Sequence, residues 1–264
     1  MACKNAYRRV IIRKVTDENT DKPSARGVDR LLFGVDSAIF SGDLLQNNID
    51  HFEWVVRNKV YPNFWGRNIT GENCLTKEEI KFLHNKGCKI AAIFNVIGTK
   101  DTEENGKKDA KEAGITAFEL GIPEEAAIFL EVKDGELVTR NYLRGFAKAL
   151  MAEGYTPGFK TSTDAKYDFD REYSRGMQTN KDIFEKCLIW ATSPTLAEYD
   201  RITTTHRIRP DNWHPFAPSG ITRNEIAIWE YGKDCHPIYD DEGNETTFNV
   251  NLVRNKNVII EKMF

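Results

Sequence analysis

The sequence predicts an α/β protein in which eight strands and the helices between them close into a single (β/α)8 barrel. The chain has 264 residues, close to the roughly 250 residues typical of such barrels. Short apolar runs recur along it, and most are followed by a stretch with helical spacing of apolar residues. Hydrophobic residues make up 40% of the composition, which is sufficient for a large core. The same alternation also allows an open, doubly wound sheet.

The first two strand and helix units follow one pattern. The run RLLFGVDSAIF meets an acid at Asp36, and NIDHFEWVVRNKV after it has helical spacing. The second unit consists of NFWGRNIT and then TKEEIKFLHNKG. Thr76, with Glu79 three residues later, is typical of a helix N-cap, and Gly87 of a helix end.

Four further strands are predicted by the next apolar runs. CKIAAIFNVIG precedes the helix NGKKDAKEAGITAFELGIP, which Gly121 and Pro123 end. AAIFLEVKDG precedes the helix TRNYLRGFAKALMAEG, with Thr139 as its cap and Gly154 as its end. The fifth strand is TPGFKTST, with a helix in FDREYSRGMQTNKDIFEKC, and the sixth strand is CLIWATS.

The pattern weakens in the last quarter of the chain. The stretch YDRITTTHRIRPDNWHPFAPSGITRNE is rich in turn residues and hides a seventh unit. IAIWEYG is then the candidate eighth strand, and EGNE between Asp240 and Thr246 is typical of a hairpin tip. We therefore expect a polar N-terminal segment over residues 1–30 and one barrel domain over residues 31–264.

Charge and hydropathy exclude several classes of partner. The net charge is -3, so no excess of basic residues is available to neutralise a nucleic acid, and we expect no nucleic-acid partner. No run approaches the roughly 18 consecutive apolar residues of a membrane span. The N-terminal residues lack the apolar stretch of a secretory signal. We expect a cytoplasmic protein, or one exported by a non-classical or phage-associated route.

Metal, cofactor and nucleophile motifs are not found in the sequence. The five cysteines lie far apart and without CxxC spacing, which predicts free thiols. The five histidines form neither HxH nor HExxH, so we predict no metal and no cofactor. GxSxG and GxxxxGK[ST] are missing, which disfavours serine-hydrolase and phosphate-transfer chemistry.

Three acids close predicted strands and are the candidate catalytic residues. The active site of a (β/α)8 barrel lies at the carboxyl ends of its strands. Asp36, Glu131 and Glu230 occupy such positions. Two carboxylates facing one cavity suit glycoside hydrolysis, because one protonates the leaving oxygen and the other acts as nucleophile or base. The alternative is that these acids pair with neighbouring cations such as Arg67 or Lys133.

Aromatic and polar residues near the same strand ends are candidate substrate-binding residues. Flat aromatic rings stack well on sugar rings, although each ring alone is more consistent with a place in the core. Polar side chains there are suited to orient sugar hydroxyls. The candidates are Trp65, Arg67, Asn95, Lys133, Trp190, Trp229 and Tyr231.

Taken in order, the motifs resemble a known family. FGVDSA, NFWGRNIT, KGCKIAAIFN, AAIFLEVKD, LIWATS, IAIWEYG and FNVNLV are similar to the glycoside hydrolase-like barrels catalogued as domain of unknown function 1906. A more distant likeness is to the family 25 lysozymes. The resemblance runs from about residue 31 to about residue 255. It implies a barrel that acts on or binds peptidoglycan or a related polysaccharide.

The resemblance also implies roles for individual residues. The acid that follows GxD on the first strand of the lysozyme-like relatives corresponds to Asp36. Their fourth strand ends in an acid-x-acid pair whose second acid donates the proton, and this sequence has Glu131-Val132-Lys133 there. A lysine cannot donate a proton in the same way, and its charge would hold a neighbouring carboxylate ionised.

The last strands depart from the relatives as well. Where those relatives commonly show tryptophan-glutamine-tyrosine and then aspartate-x-asparagine, this chain has Trp229-Glu230-Tyr231 and Asn249-Val250-Asn251. The proton donor that the resemblance calls for is therefore missing from its usual place.

Four interpretations of these departures stay open. Asp134 could take the donor place by a one-residue slip, although a slip turns the side chain to the other face of the strand. Glu230 could be the acid, or Glu131 could donate with Asp36 as its partner. Otherwise the barrel is a non-catalytic glycan-binding or cell-surface module, or a structural part of a phage or secretion system.

Overall fold

A computed structural model describes residues 31–46, 48–58, 60–196, 213–239 and 243–264. It confirms the predicted barrel, because eight strands close in the order β1 to β8. The predicted polar segment 1–30 lies outside the described residues, as do residues 199–212 of the turn-rich stretch. Among the helices that the structure describes, none is long and apolar enough to cross a membrane.

Seven of the eight strands occur at the predicted apolar runs. The strands are β1 Leu32–Asp36, β2 Phe64–Asn68, β3 Lys89–Phe94, β4 Ala127–Val132, β5 Thr156–Thr161, β6 Leu188–Leu196, β7 Ile228–Tyr239 and β8 Glu245–Val253.

The helices lie between the strands and after the last one. They are α1 His51–Arg57, α2 Lys77–Asn85, α3 Glu103–Leu120, α4 Arg140–Ala152, α5 Asp168–Thr179, α6 Lys181–Phe184 and α7 Lys256–Lys262.

The predicted helix ends are confirmed. The Thr76 and Thr139 side chains accept hydrogen bonds from the backbone N–H three residues later, as N-caps do. Gly121 has a φ of 79°, a left-handed conformation that ends α3 without steric cost. The single helix predicted after the fifth strand is divided at Asn180 into α5 and α6.

The last two strands correct the predicted order. IAIWEYG lies on β7, so Glu230 belongs to the seventh strand rather than the eighth. The eighth strand is formed by ETTFNVNLV, which is antiparallel to both β7 and β1. The other neighbouring pairs are parallel. The structure therefore confirms the predicted hairpin before Thr246, and this hairpin takes the place of a final helical crossover.

Successive side chains point to opposite faces of each strand, so the protein has one apolar core inside the barrel and another between the strands and the helices. Inside the barrel, Phe64, Phe129, Trp190 and Ile228 pack at the amino-terminal end of the strands, and α7 covers that end. Between the strands and the helices lies the larger core. Because apolar side chains fill the lower barrel, the interior is polar only towards the carboxyl ends.

Glycines on inward positions leave room for these side chains. A Cβ at Gly66 would lie 2.6 Å from the Trp190 ring and 2.7 Å from Asp36 Cβ. A Cβ at Gly34 would overlap the ring of Phe64. Both positions therefore require a residue without a side chain.

Helices α3 and α4 approach each other closely through two other glycines. A Cβ at Gly106 would overlap the Tyr142 carbonyl oxygen, and a Cβ at Gly145 would overlap the Glu103 carbonyl oxygen. The Tyr142 hydroxyl donates to Asp109 Oδ2 at 2.7 Å across the same contact. This contact fixes the helix layer beside β4.

We expect Gly106→Ala to lower the free energy of unfolding by about 1 to 3 kcal/mol, because backbone atoms cannot yield to the new methyl group. The matched control is Gly114→Ala on the same helix. Its Cβ would lie 3.1 Å from the exposed Glu153 side chain, which can move. Urea denaturation of both variants checks this, and equal stability of the two would contradict the close contact.

Candidate active site at the carboxyl end of the barrel

Four charged side chains converge inside the upper barrel. Asp36, Glu131, Lys160 and Glu230 lie on β1, β4, β5 and β7, each at an inward position in the upper part of the barrel. Glu131 and Lys160 are direct neighbours in the pairing of β4 with β5. The structure thus brings the three predicted acids together around a lysine.

The Lys160 ammonium group lies between the three carboxylates. Its Nζ is 2.8 Å from Asp36 Oδ2, 3.3 Å from Glu131 Oε1 and 3.4 Å from Glu230 Oε2. It also lies 5.2 Å from the centre of the Trp190 ring, which is within cation–π range. Lys160 is therefore the counter-ion of the whole cluster.

Asp36 is held by three donors. Its Oδ2 accepts from Lys160 Nζ and, at 2.9 Å, from Asn249 Nδ2. Its Oδ1 accepts from Asn251 Nδ2 at 2.7 Å. Trp190 Nε1 donates to Asn251 Oδ1 at 2.8 Å, which fixes the orientation of that amide. Both oxygens of Asp36 are consequently engaged.

Burial and mutual charge set the protonation of the cluster. Burial alone would lower the pKa of Lys160, but Asp36, Glu230 and Glu131 together raise it well above its ordinary value. Burial raises the pKa of Glu230 to about 8; Lys160 opposes this rise, and Asp36 and Glu131 add to it. At neutral pH the lysine is therefore charged and Glu230 is mostly protonated.

The three acids differ in their access to solvent. The side chain of Glu131 is 23% exposed, whereas those of Asp36 and Glu230 are 6% and 3% exposed. Above the cluster lies a cavity of about 320 Å³. Its lining residues are Asp36, Ser37, Ala38, Ile39, Asn68, Ile93, Glu131, Lys160, Asp234, Glu245, Thr246, Thr247, Phe248 and Asn249.

The aromatic residues predicted as a sugar platform are buried. Trp65, Trp229 and Tyr231 neighbour inward positions in sequence, so they point outward into the core beneath the helices. Trp190 points inward, but it lies below Lys160 with no exposed surface. The predicted platform is wrong in this respect, because none of the four rings offers a face to a ligand in this structure.

Arg67 is also placed differently from the prediction. Its neighbour Gly66 points into the barrel, so the guanidinium group points towards α2. There it pairs with Glu79 at 2.9 Å, with both side chains fully buried, and it donates to the carbonyl oxygens of Ser37 and Asn73. Its contacts are structural, and it does not line the cavity.

Lys133 and Asn95 lie at strand ends but do not line the cavity. Lys133 follows β4 and is exposed, and its backbone N–H donates to Glu136 Oε2 at 3.0 Å. The backbone of Asn95 exchanges hydrogen bonds with the Thr70 hydroxyl. The lysine expected beside the acids is thus Lys160 rather than Lys133.

Sequence reasoning missed Lys160, Asn249 and Asn251 as members of the cluster. Lys160 lies within the fifth strand TPGFKTST, immediately before the last residue of β5, Thr161. The alternation of side chains along a strand could have identified Lys160, because Phe159 points outward into the core and the next residue must then point into the barrel.

We expect Lys160→Met to lower the free energy of unfolding by about 3 to 5 kcal/mol at pH 7, because it leaves the buried Asp36 carboxylate and the partly exposed Glu131 carboxylate without their cation. Urea denaturation against the exposed control Lys108→Met measures this. A loss similar to that of the control would show that Lys160 does not compensate the cluster.

Glu230 gives the protein a specific pH dependence. Because its pKa is raised from 4.5 to about 8 in the folded state, folding takes up a proton in that window and stability falls as pH rises through it. We expect Glu230→Gln to remove this part of the decline and to be the more stable form at pH 9 by roughly 2 to 4 kcal/mol. Unfolding at pH 5, 7 and 9 tests this, with exposed Glu112→Gln as control; parallel pH profiles of wild type and Glu230→Gln would contradict it.

Comparisons with known proteins agree with the barrel geometry. Residues 59–247 match the family described as Rv2525c-like, glycoside hydrolase-like domain. An uncharacterized protein from B. stearothermophilus is similar in structure, at 24% identity over 88% of this chain and 100% of that chain, with a TM-score of 0.68. Comparison with curated protein sequences gave no match.

More distant structural similarities include an endolysin and a lysozyme. The catalytic domain of the endolysin ply40 from bacteriophage P40 of Listeria monocytogenes is 14% identical over 89% of this chain and 98% of its own, with a TM-score of 0.49. The bacterial lysozyme from Streptomyces coelicolor is 10% identical over 85% of this chain and 92% of its own, with a TM-score of 0.47. The match of the family over most of the chain shows that this protein belongs to the Rv2525c-like, glycoside hydrolase-like domain family.

Proposed function

We propose that this chain binds a polysaccharide of the peptidoglycan class at the carboxyl end of its barrel and does not hydrolyse it. The observation that carries the proposal is the position of Lys160 Nζ within 3.4 Å of all three candidate acids. Membership of a glycoside hydrolase-like family supports a carbohydrate ligand, and the resemblance of the motifs to lysozyme-like barrels supports cell-wall glycan as its class.

Hydrolysis requires a protonated acid that can reach the glycosidic oxygen. Glu230 is the acid whose raised pKa keeps it protonated, but its side chain is only 3% exposed. Glu131 reaches the cavity, yet it forms an ion pair with Lys160. Glu230 is therefore protonated but buried, whereas Glu131 is accessible but ion-paired. Neither residue combines the two properties that a proton donor needs.

The second requirement is a carboxylate free to act as nucleophile or base. Both oxygens of Asp36 already accept hydrogen bonds from Lys160, Asn249 and Asn251. An attack by Asp36 would have to give up part of this network inside a buried site, where lost hydrogen bonds are costly. The arrangement stabilises Asp36 as a structural anion.

Binding without hydrolysis requires only a cavity of suitable size with groups that can form hydrogen bonds to the ligand. The volume of the cavity above the cluster, about 320 Å³, is within the range of small-ligand sites, roughly 300 to 1,000 Å³. Asn68, Thr246, Thr247 and Asn249 line it with amide and hydroxyl groups. Such groups match the hydroxyls of a sugar in hydrogen-bonding capacity.

A second candidate function is a hydrolase in which Glu131 donates the proton and Asp36 is its partner. It is favoured by one observation, since both residues line the cavity and both carboxylates lie within 3.3 Å of the same nitrogen. Their separation is then below the roughly 6.5 Å that an inverting pair needs, and only retaining chemistry would fit.

We expect the protein to sediment with insoluble peptidoglycan and to release no reducing ends from it. Asn68→Ala should lower the binding affinity by about three- to tenfold, because one side-chain hydrogen bond to the ligand is lost. The matched control is Asn85→Ala, which changes an exposed asparagine at the end of α2 and should bind as the wild type does.

Two results would overturn the proposal. Release of reducing ends that disappears in Glu131→Gln would establish the hydrolase instead. Failure of the folded wild-type protein to bind any cell-wall glycan would remove both candidates.

A further inference from the structure

One wall of the cavity is formed by the β7–β8 hairpin. The residues of this hairpin wall that line the cavity are Asp234, Glu245, Thr246, Thr247, Phe248 and Asn249. Because β8 is antiparallel, the hairpin continues past the barrel rim where a parallel strand would have turned into a helix. The wall therefore belongs to the part of the chain that departs most from a regular (β/α)8 barrel.

The hairpin wall carries two carboxylates that face the ligand space. Asp234 accepts a hydrogen bond from the Thr247 hydroxyl at 3.1 Å, and Glu245 is hydrogen-bonded to the Tyr239 hydroxyl at 3.2 Å. Neither carboxylate forms an ion pair with another residue that the structure describes. They differ in this from Asp36 and Glu131, whose charge Lys160 offsets.

The lining as a whole is consequently negative. Among the described lining residues there are four carboxylates, Asp36, Glu131, Asp234 and Glu245, and one cation, Lys160. A negative cavity with low-dielectric walls favours a ligand group of positive charge.

An aromatic ring lies beside one of these carboxylates, Glu245. Tyr239 is 47% exposed, and its hydroxyl contact with Glu245 fixes the ring next to a lining residue. Unlike the four buried rings of the core, Tyr239 can offer a face to the apolar side of a sugar.

The hairpin wall is connected to the buried cluster. An irregularity in the pairing of β7 and β8 between Gly232 and Cys235 gives Asp234 a φ of 50°. In this conformation the Asp234 N–H donates to Asn249 Oδ1 at 2.9 Å, while Asn249 Nδ2 donates to Asp36. The Asn249 side-chain amide thus holds both Asp234 on the hairpin wall and Asp36 in the buried cluster.

We infer that the glycan bound here carries free amino groups, with an ammonium group at Asp234 and Glu245 and a sugar ring against Tyr239. The inference rests on the proposed function and names the substrate class of that same cavity. An N-acetylated sugar has the same ring but no positive charge, so it loses the interaction with both carboxylates while keeping the stacking contact.

The test compares a glucosamine oligomer with its fully N-acetylated counterpart of equal length, by calorimetry at a pH at which the amines are protonated. We expect the amine form to bind about tenfold more tightly. The double variant Asp234→Asn, Glu245→Gln should reduce this preference to about twofold or less. Tyr239→Ala should weaken both ligands alike, because the ring contact is common to them.

The matched control is the double variant Asp182→Asn, Glu185→Gln. It removes the same total charge from exposed positions around α6 and should leave the preference unchanged. If the control loses the preference as fully as the hairpin variant does, the effect is general charge attraction and the inference is wrong.

The outcomes separate this inference from the proposed function. Equal binding of the two oligomers, or a preference that survives Asp234→Asn, Glu245→Gln, would overturn the amino-sugar inference and leave glycan binding intact. Absence of binding to both oligomers and to peptidoglycan would overturn both.

Discussion

The ion cluster around Lys160 is the constraint on which the upper barrel depends. The buried acids Asp36 and Glu230 and the partly exposed Glu131 would repel each other as carboxylates, and the cost of burying a charge is several kcal/mol per ion. One ammonium group within 3.4 Å of all of them offsets that cost. Protonation of Glu230 at neutral pH reduces the remaining negative charge.

The antiparallel last strand completes this cluster. Pairing of β8 with β1 sets Asn249 opposite Asp36 and Asn251 opposite Gly34, so two amides reach the carboxylate of Asp36. The space for the cluster comes from Gly66, where a side chain would meet Trp190 and Asp36. The same strand also forms half of the β7–β8 hairpin that lines one side of the cavity. The antiparallel β8 therefore contributes both to the buried cluster and to the hairpin wall.

Much of the fold could be predicted from the sequence because local signals were strong. The caps at Thr76 and Thr139 and the left-handed Gly121 mark helix ends by backbone chemistry that operates within a few residues. EGNE indicated a hairpin, but its local pattern could not predict that the second strand of this hairpin is the eighth barrel strand. That place depends on the pairing of β8 with β1, which joins distant parts of the chain.

The sequence predicted the placement of the three acids, but it did not predict the placement of many of the residues around them. Asp36, Glu131 and Glu230 end apolar runs and do meet, but Trp65 and Arg67 flank the inward Gly66 and therefore point outward. A shift of one residue in a strand exchanges its two faces, so proximity to a strand end does not fix which layer a side chain joins. Lys160 was missed because an isolated lysine within an apolar strand has no sequence motif of its own.

The charge state of Lys160 is the central claim, and NMR of its ammonium group measures it most directly. With lysine labelled with ¹⁵N, the Nζ resonance of Lys160, assigned by comparison with Lys160→Met, is followed as pH is raised from neutral. The account predicts that the Lys160 Nζ resonance keeps its ammonium shift to a higher pH than the resonances of the exposed lysines do. Deprotonation of Lys160 before the exposed lysines would contradict the account, because the carboxylates would then lack their cation.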